Sequence, residues 1–532
     1  MGTSSTRRVL AFVLGGLLLL GACRRDPNGP SWDVDLLAPL VNTSLTLGDL
    51  LADSLLETGP DGAVTLVYRS DLFAFSLDSF ITLADTSFDY GFAIPFGPIN
   101  FPPGATFFSN NEVTRFDLGD VALRYLELKE GEVELWLKNK VPSAVIGTFS
   151  LPGATLDGGP AQLSSTVTAG TPVQPSFASQ RRSLAGGIFD LRGPTFNAVN
   201  TLATSIVATL DPNGQGATLT PQDSLIARAN YIGLKPRYAR GYFGTQRVEV
   251  EPVENELGLF ANVVAGLLDL DDVSLRLRVT NGIGMDLRAF LRRVTAVNSR
   301  TGVELDLAHS IFQGPINLSR ALDVGAPQPS VYNALLDRTN SNVDQFIENL
   351  PDRVRYQLDI DVNPLGDVSS GNDFVYDSSE LRASLDLEIP LRVIATDLTL
   401  QAFVEPELPG NAENPAVRSA TLNVFVTNGF PLSAGIHLDV VNAEDQVIAA
   451  VPVEGIAQPG LLGADGLVTA PRTSRISARL DEATTRSLYQ TKRLRVRAVL
   501  NTADQSQHLR LLDSYRLDLK VTLGANYLVN GE

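Results

Sequence analysis

The sequence predicts a mainly β protein: tandem β-sandwich-like domains, each with one short helix, behind an N-terminal leader. Three observations predict it. Apolar and polar residues alternate along many short stretches, the period-two pattern of half-buried strands. A strand that ends in Asn, turns a corner and returns as a second strand occurs three times, with Asn139, Asn281 and Asn428 spaced 142 and 147 residues apart. Hydrophobic residues make up 44% of the 532 residues, which supplies a core and excludes a disordered chain.

The leader comes first. Arg7 and Arg8 precede Val9 to Leu20, a run without charge, and Gly21-Ala22-Cys23 follow. Twelve residues rise about 18 Å as a helix, short of the roughly 30 Å hydrocarbon core, so the run suits a signal peptide better than a spanning segment. Cys23 is the only cysteine in the chain, so it has no partner for an internal disulfide.

Leu20-Gly21-Ala22-Cys23 resembles the lipobox of bacterial lipoproteins. The resemblance implies that residues 1–22 are cut away, that the Cys23 thiol carries a diacylglyceryl group, and that the new amino terminus is acylated. Two or three chains hold stably where one is marginal, at about 0.8 kcal/mol per buried methylene. Residue 24 is Arg; Asp there would imply retention at the inner membrane, so the resemblance implies the outer membrane, with the side faced left open. Residues 23–31 read as a short tether, since Pro and Gly interrupt regular structure.

The body divides, on turn clusters, into 32–215 (an extra β region plus the first repeat), 216–366 and 367–532. The corners read "VELWLKNKVPSAVIGTFSL", "SLRLRVTNGIGMDLRAFL" and "TLNVFVTNGFPLSAGIHLDV". Asn and Gly tolerate left-handed backbone and Pro cannot donate to a ladder, so each reads as a structural corner between strands. In the second unit Val343, Phe346, Ile347 and Leu350 form one apolar helical stripe, stopped by Pro351. "DEATTRSLYQTKRL" predicts the helix of the third unit and "TFNAVNTLATSIVATL" that of the first. The corner is similar to that of immunoglobulin-like late-embryogenesis (water-stress) domains over about twenty residues per copy, without the Pro usual after the Asn. An outer-membrane barrel would alternate too, but helical stripes and an acyl anchor would be redundant in it.

Charge narrows the partners. Without Arg7 and Arg8, 40 basic residues face 60 acidic ones, a net −20, and no basic cluster stands out, which argues against nucleic acid and against a surface that hugs anionic headgroups. The expected partners are membrane lipid through Cys23, other envelope proteins, or glycans.

Catalytic chemistry is sparse. No G-x-S-x-G, H-E-x-x-H, P-loop or G-x-G-x-x-G occurs, so no catalytic residue, metal ligand or cofactor site is nominated. A hydrolase would need one of His309, His437 or His508 brought beside a Ser and an acid in space. Asp211, Asn213 and Gln215 start like a calcium loop, but Gln222 stands where a bidentate carboxylate is required; Asp359, Asp361 and Asn363 fail likewise at Ser370. Trp136 sits between Leu135 and Leu137 and points to the opposite face, as a packing surface or a sugar platform. The function these readings favour is a lipid-anchored cell-envelope lipoprotein with a non-catalytic structural, adhesion or partner-binding role. An envelope binding protein for glycans or hydrophobic ligands is the alternative, and a hydrolase comes last.

Overall fold

Alternation becomes strand through most of the chain, because a strand with one apolar face is stable only when that face closes against another sheet. The computed structural model describes residues 31–51, 55–76, 83–260, 263–406 and 417–530. Three long strands come first: β1 (Ser31–Thr46), β2 (Val64–Ser76) and β3 (Thr86–Ala93). The first repeat contributes β4 (Thr106–Arg115), β5 (Ala122–Asn139), β6 (Val145–Leu156), β7 (Gly159–Val167), β8 (Ser176–Ser183), β9 (Thr201–Leu210) and β10 (Ser224–Tyr242).

The second contributes β11 (Gln246–Glu256), β12 (Val263–Leu270), β13 (Ser274–Asn281), β14 (Leu287–Asn298), β15 (Ser330–Leu336), α1 (Val343–Glu348), β16 (Arg353–Val362), β17 (Asp373–Tyr376) and β18 (Glu380–Pro390). The third contributes β19 (Arg392–Val404), β20 (Val417–Asn428), β21 (Ser433–Val441), β22 (Val447–Val451), β23 (Arg472–Leu480), α2 (Glu482–Thr491), β24 (Leu494–Asn501) and β25 (Arg516–Asn530).

These strands form three two-sheet units with one shared plan, all pairings antiparallel. The sheet that holds the Asn corner runs β8-β5-β10-β3 in the first unit, β15-β13-β18-β2 in the second and β23-β20-β25-β1 in the third. The opposing sheet runs β7-β6-β9-β4 in the first and β22-β21-β24-β19 in the third. In the second it runs β14-β16-β11, with 303–306 and 316–318 on the outer edge of β14.

Two expectations are corrected by this pairing. Turn clusters at 213–216 and 366–373 were read as domain boundaries, but β10 lies past the first and pairs along β5, and β18 lies past the second and pairs with β13. The clusters are connections inside units, whose bodies span 106–242, 246–390 and 392–530. The β region from 32 to 111 is likewise not a preface to the first repeat alone. Its strands close all three sandwiches in reverse order, β1 on the third, β2 on the second and β3 on the first. Each sandwich lacks one edge strand in its own stretch of chain, and the N-terminal segment supplies it.

Helices α1 and α2 form where the stripes predict. Val343, Phe346 and Ile347 are buried, and Asp481 caps α2 by accepting the Thr484 amide at 2.8 Å. The helix expected in the first unit is absent: 193–200 is turn, and "TLATSIVATL" is strand β9, with Leu202, Ile206, Ala208 and Leu210 inward. β-Branched Thr, Ile and Val on a period of two outweigh the imperfect helical spacing. Neighbouring units also share strands, since β17 adds to β10 and β12 adds to β19. One apolar core fills the first unit and reaches the second, and another runs through the second and third.

Candidate functional site

The three corner asparagines occupy equivalent places. Each is the last residue of its strand and is buried to 1% exposure or less. Each side-chain oxygen accepts the amide two residues on: Val141 to Asn139 at 2.9 Å, Ile283 to Asn281 at 2.9 Å, Phe430 to Asn428 at 2.8 Å. Each side-chain amide donates to a carbonyl in the segment leading to the next sheet strand: Thr168 at 2.9 Å, Ser319 at 2.8 Å, Gln458 at 3.0 Å. A buried side-chain amide whose oxygen and nitrogen are both hydrogen-bonded locks a corner that backbone pairing alone leaves open. These residues do structural work.

Cys23 lies outside the described residues. The histidines stay apart. His309 Nδ1 accepts the Ile311 amide at 3.1 Å, His437 is exposed on β21, and His508 Nε2 lies 2.9 Å from Asp269 Oδ1. Among the described residues none of them is hydrogen-bonded to a serine, so the geometry a serine hydrolase needs is not assembled there. Both calcium-like segments have other uses. Asp211 Oδ1 accepts the Asn213 amide at 2.9 Å, whereas Asp359 pairs with Arg247 at 2.9 Å and Arg292 at 2.7 Å. Among the described residues no three His, Cys, Asp or Glu side chains are grouped to hold a metal ion.

Leu135 and Leu137 face the core at 0% exposure, and Trp136 lies on the other face. It packs on Phe177 at 5.6 Å between ring centroids, with the Arg228 guanidinium 5.6 Å from its ring. That is a half-buried packing surface rather than an open platform.

The site that sequence reading missed is a polar cleft of about 590 Å³ where the first unit meets the second. Alternation builds its floor. Leu126 and Ala239 point inward, so Tyr125 and Glu127 of β5 and Tyr238 and Arg240 of β10 share the outer face. The second unit adds Tyr376, opposite Tyr238 in register, and the connection before β17 adds Asn372. Tyr238 is the hub, 4.6 Å from Tyr376 and 5.7 Å from Tyr125 between centroids, and it is only 7% exposed.

Every one of these phenols is tied down. Tyr238 and Tyr376 each donate to a different oxygen of Asp323 at 2.7 Å, and Tyr125 donates to Glu127 at 2.9 Å. Burial, then the hydrogen bond to the neighbouring carboxylate, pushes the Tyr125 and Tyr376 hydroxyls up to about 12. The same causes raise Tyr238 further. Burial acts to raise the Asp323 carboxyl, but the tyrosine donors and the Gly325 amide outweigh it and hold the group below its ordinary value. Asp323 is therefore an ionised acceptor that fixes two of the rings.

The cations of the cleft behave differently. Arg124 Nη1 donates to the Ser370 carbonyl at 2.8 Å and Arg240 Nη2 to Asn372 Oδ1 at 2.6 Å, and among the described residues neither has a carboxylate within 4.0 Å. Arg192 pairs with Asp190 at 2.7 Å and lies 5.1 Å from the ring of Phe196. Arg124 rests against Gly371, where a Cβ would come within 2.6 Å of the guanidinium and where φ is +72°. Only glycine combines that backbone with that contact. The signals were in "RYARGYFG", where Tyr238, Arg240 and Tyr242 recur at alternate positions, and in "LRYLELKE", where Arg124 and Tyr125 stand side by side.

The apolar void in the interior of the second unit is far smaller. The void between the sheets of the second unit, lined by Tyr68, Leu275, Phe346 and other apolar side chains, is about 50 Å³. Ligand pockets start at roughly 300 Å³.

No protein-family description matches the chain, and no curated protein does. Solved structures resemble it only faintly. A crystal structure titled as a "putative secreted protein" from Parabacteroides distasonis aligns over 93% of this chain and 99% of its own, at 10% identity and a TM-score of 0.26. The T13 particle of infectious bursal disease virus aligns over 94% and 80%, at 8% identity and 0.14. The Gx strain of the same virus aligns over 84% of each chain, at 9% and 0.12. Likeness of this degree carries no argument about function, and the reading of this protein rests on its own residues.

Proposed function

We propose that the chain is a lipid-anchored cell-envelope lipoprotein of the outer membrane, moored by acyl groups on Cys23, with a non-catalytic binding role. Its address rests on the leader, where Arg7-Arg8, a short apolar run and Leu20-Gly21-Ala22-Cys23 stand in register. Its role rests on one observation above the others: a cleft of about 590 Å³ is lined by aromatic rings whose hydroxyls are held and by guanidinium groups each anchored by at least one hydrogen bond. Pre-set side chains bind without the cost of ordering them. A catalyst would need a nucleophile beside a base, and the cleft's phenols instead donate to carboxylates. The partners of such a site are glycans or other envelope proteins.

The leader is tested by Cys23→Ser. The wild-type chain is expected to incorporate labelled palmitate and to sediment with outer membranes, and the variant is expected to do neither. Equal labelling of the two would end the anchoring proposal.

A further inference from the structure

We propose that the cleft between the first and second units binds an oligosaccharide bearing carboxylates, an acidic glycan of the uronate type. This deepens the binding role proposed above and rests on it. Charge is the first observation. The protein carries a net −18, yet Arg124 and Arg240 stand in one cleft with only a carbonyl and a side-chain amide as partners. The cleft's carboxylates are already engaged, Glu127 by Tyr125 and Asp323 by Tyr238 and Tyr376. Three guanidinium groups, Arg124, Arg192 and Arg240, face two lining carboxylates, Glu127 and Asp323, a local balance opposite to that of the whole chain, and the planar forks of Arg124 and Arg240, with donors to spare, match a carboxylate.

Aromatic geometry is the second observation, and it is independent of the first. Phe196 stands at the cleft with its side chain 64% exposed and its backbone at φ +56°. A bulky residue rarely adopts left-handed backbone, and an exposed one gains little from burial to offset it. Arg192 holds the ring, itself fixed to Asp190 through two nitrogens at 2.9 and 2.7 Å. An aromatic face kept in solvent beside Tyr125 and Tyr376 suits the apolar face of a sugar ring. The phenol oxygens, whose protons go to carboxylates, keep lone pairs for sugar hydroxyls. The cleft's 590 Å³ falls within the range of small-ligand sites.

The test is calorimetry on the whole mature chain with hexagalacturonate and its methyl ester, which keeps the rings and removes the charge. The acid is expected to bind and the ester to bind at least about tenfold more weakly. Arg124→Ala and Arg240→Ala are each expected to weaken the acid about tenfold at unchanged melting temperature, and Arg240→Lys to recover part of the loss. Phe196→Ala is expected to weaken acid and ester alike. No binding of the acid, equal binding of the ester, or well-folded arginine variants that bind like wild type would each overturn the acidic-glycan proposal. Mass analysis of the recovered sugar separates the two readings. Shortened chains would overturn the non-catalytic role and leave the ligand class standing, whereas intact but unbound sugar removes the ligand class alone.

Discussion

Asn428 shows how much one side chain does here. It is buried, accepts the Phe430 amide at 2.8 Å and donates to the carbonyls of Leu432 at 2.8 Å and Gln458 at 3.0 Å. Asn428→Ala strands those groups without water, and urea unfolding is expected to register a loss of about 2–4 kcal/mol. Asn139 and Asn281 are expected to behave alike, whereas a loss below about 0.5 kcal/mol would mean that backbone pairing alone makes the corner. These residues were legible because an Asn that ends a strand before Gly or Pro has a local signature. The cleft was not, because Tyr125, Tyr238 and Tyr376 are more than a hundred residues apart in turn and meet only through register. Their ionisation gives a second residue-scale prediction. A phenol whose folded pKa is raised from 10.0 to about 12 adds stability that is complete below pH 10 and is lost as pH rises toward 12. Absorbance of phenolate during an alkaline titration is expected to show two tyrosines lagging near pH 12. If every tyrosine ionised near 10, the hydrogen bonds to Asp323 and Glu127 would be ruled out.

Elements were read well where one period ruled and poorly where two competed. β5 and β13 alternate cleanly, and α1 carries its stripe at Val343, Phe346 and Ile347. β9 has partial helical spacing, but Thr201, Thr204, Ile206, Val207 and Thr209 favour an extended chain, and pairing with both β6 and β4 decides it. Turn-rich 363–372 misled in another way. Turn residues there predict a boundary between units, yet Asp367 Oδ1 accepts the Gly371 amide at 2.7 Å and Ser369 Oγ accepts the Asn372 amide at 3.0 Å, which makes a knitted wall for Arg124. Gly371→Ala meets both a positive φ and the guanidinium. It is expected to cost about 1–2 kcal/mol in thermal unfolding, against a few tenths for Gly314→Ala, where a Cβ meets nothing within 4 Å.

At the scale of the molecule, chain order and spatial order differ. The first strand belongs to the last sandwich, with Ser31 opposite Asn530, so folding of all three units waits on the N-terminal segment. Sequence repeats revealed that there are three units, since the corner recurs. They could not reveal their bounds, because pairing partners hundreds of residues apart leave no mark on local composition. Deleting 31–46 is expected to remove hydrogen-exchange protection from β25 and the third unit while the first unit keeps its own, and uniform protection would contradict the nested closure. The same topology relates anchor to cleft. Seven residues separate Cys23 from β1, a reach of at most about 28 Å, so the proposed anchor would hold the third sandwich near the bilayer, with the second unit between it and the cleft. Everything in that picture depends on lipid at one sulfur. The intact mass of the mature protein extracted from membranes tests this most directly: a chain that begins at Cys23 and carries a diacylglyceryl group and an N-acyl group is the predicted result, and an unmodified thiol at that position would contradict it.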